Sequence, residues 1–164
     1  MENLRPAVKT ADIACRSTAV SLCSLPKQGL VYFMESLHRW YAAGSGALAL
    51  AVALGAFGAH GLRERLEAYG ASIYEKAVFY HFVHGLGMLL VCLIASAQVV
   101  SVPGAKRILL LLLAGLVLFS GSLYLLALTR IRWLGAITPF GGTAFIAAWL
   151  LLMYELLRYS TPQQ

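Results

Sequence analysis

Charge is confined to a minority of this chain. Four windows, Trp40–Leu62, Ala77–Ala105, Ile108–Thr129 and Trp133–Tyr154, contain no Asp, Glu, Lys or Arg, and together they hold 96 of the 164 residues. All 20 charged side chains lie in the other 68. The windows are 23, 29, 22 and 22 residues long. A helix needs about 20 apolar residues to cross the hydrocarbon layer. A membrane strand would cross in about 10 residues of alternating polarity, and these windows do not alternate. Backbone left unpaired in lipid is too costly to persist, so helices are required. The expected fold class is all-α: an integral membrane four-helix bundle with short hairpin connections.

Composition agrees. Apolar residues make up 60% and charged residues 12% of the chain, against about 45–50% and about 25% in soluble domains. The net charge of +6 does not indicate a nucleic-acid partner. The basic residues are scattered over short segments and form no aromatic-interleaved patch. They read as membrane flanks, and the lipid bilayer is the expected partner. Cys15, Cys23 and Cys92 form no CxxC pair and suggest neither a disulfide framework nor a zinc site.

The sequence divides into a poorly structured or non-native extension over 1–33, a four-helix domain over 34–159 and a polar tail over 160–164. Three readings stand for the extension. Ser17–Leu25 is a diluted signal-peptide core; the stretch is an organelle presequence carrying Glu2 and Asp12 against type; or Met34 is the initiator. The helices are expected at about 37–61, 73–102, 108–129 and 134–157. Arg63–Tyr69 could form an interfacial turn broken at Gly70, with Ser72-Ile-Tyr-Glu75 as a capping box for the second helix. Pro103-Gly104 reads as the end of that helix. Pro139 with Gly141-Gly142 predicts a kink or a late start in the fourth. Short connections make helices two, three and four antiparallel neighbours.

Four spans put both termini on one side. That side carries eight Lys/Arg against five on the other, which favours cytoplasmic termini. A start at Met34 makes the count four against five and removes the preference.

Small residues recur every four positions along the first helix, at Ala43, Ala47, Ala51, Gly55 and Ala59. On the first helix this pattern predicts close packing within the bundle or, alternatively, a specific dimer or binding groove; Gly121, Gly141 and Gly142 predict close helix packing. Polar groups are few. His60 closes helix one, while His81 and His84 fall in the expected first turns of helix two. Ser120, Ser122, Tyr124 and Thr138 lie in the same half of the bundle. These seven residues are expected to form one polar cluster near one interface, and intramembrane polar groups suggest function. On a helix His81 and His84 are about 60° apart, and Glu75 lies on the opposite side from His84. His60 with His81 or His84 could ligate haem or a transition metal. The alternative is histidines bonded to backbone or hydroxyl groups, with no cofactor. No catalytic residue is assigned. Ser120 and Ser122 have no oriented base in the sequence.

Four motifs carry a resemblance: Gly55-Ala-Phe-Gly-Ala-His60-Gly-Leu, Tyr80-His81-Phe-Val-His84-Gly-Leu, Leu118-Phe-Ser-Gly-Ser-Leu-Tyr124, and Thr138-Pro-Phe-Gly141-Gly142 through Trp149. In this order, over about residues 35–157, the chain resembles the YgdD-type family of small membrane proteins, whose eukaryotic relatives are called transmembrane protein 256. The resemblance implies a four-helix protein of the bacterial inner membrane, or alternatively the mitochondrial inner membrane, and transfers no catalytic role. Members begin near the position of Met34, so the first 33 residues depart from the family pattern. The expected function is non-enzymatic: structural, assembly or accessory, with a protein partner or a second copy. The alternatives are a haem-, metal- or quinone-linked redox protein using His60, His81 and His84, and a small transporter or channel.

Overall fold

The computed structural model describes residues 27–159, with side chains from Leu37 onward. The expectations for 1–26 and 160–164 lie outside the described residues. Helix α1 runs Lys27–Gly61 and α2 runs Ala68–Ser96. The third span combines α3 (Val102–Gly115), a π-helical turn (Leu116–Gly121) and α4 (Ser122–Thr129). A 3-10 segment (Arg132–Ala136) leads into α5 (Thr138–Tyr159). No strand occurs among the described residues. Four stretches, Leu37–Gly61, Ala68–Ser96, Val102–Thr129 and Arg132–Tyr159, are long and apolar enough to cross a membrane.

Several helix ends differ from those read in the sequence. Helix α1 begins at Lys27 rather than near 37, because no proline separates Pro26 from the first span. Helix α2 starts at Ala68, after extended backbone at Glu67. The Ser72–Glu75 capping box is therefore not formed: both residues are exposed positions inside the helix, as is Lys76, while Gly70 is an interior position of its first turn. At its other end α2 stops at Ser96, six residues before Val102, where Gln98 adopts left-handed backbone at φ 59°. Pro103-Gly104 then opens a helix instead of closing one. Ser101 is the N-cap, its hydroxyl accepting from the Gly104 N–H at 3.2 Å, and Pro103 sits in the first turn, where its missing donor costs nothing. Arg130, at φ 60°, ends α4. Pro139 occupies the second position of α5, so the expected irregularity is a late start after a 3-10 turn and not a mid-helix kink.

The core lies between α2, the third span and α5. Met88, Val91, Cys92, Ile108, Leu109, Leu112 and Ala148 are fully enclosed. In lipid the hydrophobic effect does not drive helices together, so close van der Waals approach must. Glycine permits it. Gly115 receives the ring of Phe145, and Gly87 receives the indole of Trp149. At Gly141 an added Cβ would strike the backbone N of Phe119, inside the π-helical turn. Two backbones meet there, and neither can yield by changing a rotamer.

The first helix is held differently. Its inward face packs along α2 through Gly44 against Leu89, Leu48 against Gly85, Gly55 against Val78 and Gly58 against Tyr74. In the most apolar 18-residue stretch of each span, 11% of the residues are buried in the first and 44% in the second.

Candidate functional site

The polar interior is built mainly on α2 and the third span. Tyr74 sets one end of it. Gly58 has no side chain, so the Tyr74 ring lies against the first helix, and its hydroxyl donates to the Leu54 carbonyl at 2.8 Å. The Tyr124 ring meets Tyr74 edge-on, with centroids 5.0 Å apart. Tyr124 in turn reaches His81, its hydroxyl 3.3 Å from Nδ1. Both side chains of that pair are more than nine-tenths buried.

His84 lies one turn further along α2 in a different setting. Its Nδ1–H donates to the Tyr80 carbonyl at 2.7 Å, which leaves Nε2 as the basic nitrogen of the neutral ring. The imidazole stacks on Phe145 with centroids 3.4 Å apart and planes 14° apart, and Trp149 flanks it. This is a packed aromatic layer.

The third polar group closes the junction of the third and fourth spans. The Ser122 hydroxyl donates to the Phe119 carbonyl at 3.0 Å and shares a hydrogen bond with Thr138 at 3.1 Å. This bond ties the end of the π-helical turn to the start of α5. Ser120, inside the turn, is 1% exposed, and its hydroxyl has no hydrogen-bond partner among the described residues.

The seven predicted residues therefore do not form one cluster. The structure joins His81 to Tyr124 and Ser122 to Thr138, and sets His84 among aromatic rings. His60 stands apart, exposed in the last turn of α1. Depth explains the separation. The contacts at Gly55–Val78 and Leu48–Gly85 put His81 level with about Ala51. Ala51 is twelve residues from Arg39 and twelve from Arg63, about 18 Å in each direction at the rise of a helix. His81 is thus deeper than His60, which lies at the rim, because α2 starts earlier than its capping signal suggested; the exposed Lys76 lies five residues, about 7.5 Å, before His81 on α2. The proposed ligand set His60, His81 and His84 does not converge, and no group of three His, Cys, Asp or Glu side chains suited to a metal exists among the described residues. Among the described residues neither His81 nor His84 bonds a serine.

Of the predicted packing residues, Ala51 is buried, Ala47 and Gly55 are half-buried, and Ala59 is exposed. Gly141 is buried against Phe119, and Gly142 lies beside its ring. Gly121 has open space in front of it. That space belongs to a groove of about 410 Å³ between the first helix and the third span, lined in part by Gly46, Ala47, Leu50 and Gly121, with His81 and Tyr124 in its wall. Sequence reasoning missed Tyr74, Tyr80, Phe145 and Trp149. Tyr80 had a local signal, as the residue that opens the Tyr80-His81-Phe-Val-His84 motif; Tyr74 meets Tyr124, and Phe145 and Trp149 meet His84, only once the helices pack.

Comparison with known proteins bears on this interior. A family described as "Protein of unknown function (DUF423)" matches residues 54–142, a span containing every residue of the polar interior described above except Phe145 and Trp149. The chain belongs to the DUF423 family. A "UPF0382 membrane protein" of Staphylococcus epidermidis is 50% identical over 111 residues, covering 68% of this chain and 88% of that protein. The "UPF0382 membrane protein YwdK" of Bacillus subtilis is 45% identical over 112 residues, covering 67% and 89%. A Staphylococcus haemolyticus relative, "UPF0382 membrane protein SH2409", is 48% identical over 110 residues. No solved structure matches the chain. The relatives' description as membrane proteins agrees with the four apolar helices, and DUF423 membership agrees with the small membrane family that the four motifs resemble.

Proposed function

We propose that this DUF423 protein acts without catalysis, as an accessory or assembly subunit of a bacterial inner membrane with both termini in the cytoplasm. Its docking element is the outward face of the first helix. One observation carries the reading. Ala42, Gly46, Ala49, Ala53 and Ala56 follow one another at helical spacing, and all are exposed, on the side opposite the buried Gly44 and Ala51. Small residues on a lipid-facing surface let a second backbone approach closely. The occupant is a transmembrane helix, from a second copy or from another subunit.

The test is the mass of the complex taken from native membranes in mild detergent. Wild-type protein should run as a complex, and Ala49→Leu with Ala53→Leu should reduce it to the single chain while leaving helix content unchanged. A wild-type chain that is monomeric and unaccompanied contradicts the proposal. Topology is tested separately by reporter fusions at each terminus, which should both report the cytoplasm.

A further inference from the structure

We infer that the groove between the first helix and the third span binds an isoprenoid quinone, whose ring carbonyl accepts a hydrogen bond from the His81–Tyr124 pair. Proton bookkeeping carries the inference. A neutral imidazole has one N–H and a phenol has one O–H. The pair makes one hydrogen bond between Nδ1 and the phenol oxygen, and neither side chain makes another among the described residues. If the phenol donates, the Nε2–H is left over. If Nδ1–H donates, the phenol O–H is left over. Either tautomer leaves one donor without an acceptor, in the wall of an otherwise apolar groove.

The groove itself supplies no acceptor: apart from the pair its lining residues carry no polar side chain, and no Lys or Arg would draw an anion inward. The matching ligand carries a neutral carbonyl within the hydrocarbon layer. The walls indicate its shape. Gly46, Ala47 and Gly121 present nothing beyond a methyl group to the groove, which leaves width for a flat ring, while Leu50 and Leu54 stand at the level of the polar pair. Leu50, in the same wall, offers apolar surface to a prenyl chain. A volume of about 410 Å³ lies within the range of small-molecule sites, about 300–1,000 Å³, and is too small to seat several turns of another helix. The proposal concerns binding alone; the groove adjoins the docking face of the first helix, and Gly46 belongs to both.

The test uses the full chain in lipid nanodiscs, with a short-chain isoprenoid benzoquinone as probe and native mass spectrometry as readout. One quinone should bind per chain, saturably. The double variant Tyr124→Phe with His81→Phe, which removes both donors, should weaken binding about tenfold, the equivalent of one hydrogen bond, and each single variant by less, because the remaining group keeps one donor. Gly121→Leu should abolish it by filling the groove, since an added Cβ there meets only the Leu116 carbonyl at 3.9 Å. Ala53→Leu, on the docking face, should leave binding unchanged, so that failure here is distinct from failure of the accessory role. Thermal unfolding establishes that each variant is folded. If the double variant does not fold, Gly121→Leu decides the matter. Absence of saturable binding, binding unaffected by Gly121→Leu and by the folded double variant, or uptake of oleic acid in preference to quinone overturns the proposal. So does a dimer that depends on Gly121 in a chain that takes up no quinone, because the groove would then belong to a helix.

Discussion

The first helix and the remaining three spans solve the same problem in opposite ways. In the core, glycines face large aromatic rings or another backbone, and side chains fill the space between helices: Gly115 meets Phe145, Gly87 meets Trp149 and Gly141 meets the Phe119 backbone. Along the first helix, glycine and alanine occur on the inward and the outward faces alike, and most of the surface stays uncovered. Small residues are thus a means of close approach in both regions. In the core the approaching element is present; on the first helix it is present on one side only.

This contrast can be broken most directly at Gly141. Gly141→Leu would force a side chain into the Phe119 backbone, and overpacking of this kind costs about 3 kcal/mol or more where no rotamer can yield. Thermal unfolding in detergent should show a large fall, or no folded protein. Removing volume from the same core is the next test. Met88 is fully buried, and Met88→Ala should destabilise by about 2–4 kcal/mol in the same assay. The attachment of the first helix is weaker. Tyr74→Phe removes the hydrogen bond to the Leu54 carbonyl, worth about 1 kcal/mol. It should raise the cysteine-labelling rate of Ala51→Cys while the melting of the other three spans stays close to wild type. The smallest effect belongs to the outward face. Ala53→Leu should change the stability of the single chain by less than about 0.5 kcal/mol. A large loss of chain stability there would mean that this face is already covered within the bundle.

The sequence announced four spans because charge and grease are segregated, and lipid tolerates few alternatives. Helix ends were less legible. Pro103-Gly104 has the same composition at either end of a helix, and the deciding cue was Ser101, whose hydroxyl caps Gly104. Ser72 and Glu75 had the right spacing for a capping box, but the helix had already begun at Ala68. That shift placed His81 and His84 more than three turns into the helix and separated them from His60. Two partnerships in the polar interior, His81 with Tyr124 and Ser122 with Thr138, join residues already selected as polar. Their division into separate sites depended on depth, which no single helix reveals. The π-helical turn at Leu116–Gly121 had no signal in its own residues; its counterpart is Gly141 on another helix, visible only once the two are packed.

The central claim is that the first helix turns Gly44, Leu48, Ala51, Gly55 and Gly58 toward the bundle and offers its opposite face to a partner. A single-cysteine cross-linking scan of residues 42–58 in native membranes tests it. The account predicts adducts to a neighbouring chain that peak at Ala42, Gly46, Ala49, Ala53 and Ala56 and vanish at Leu48, Ala51 and Gly55. Adducts peaking at Ala51, or none at any position, would contradict it.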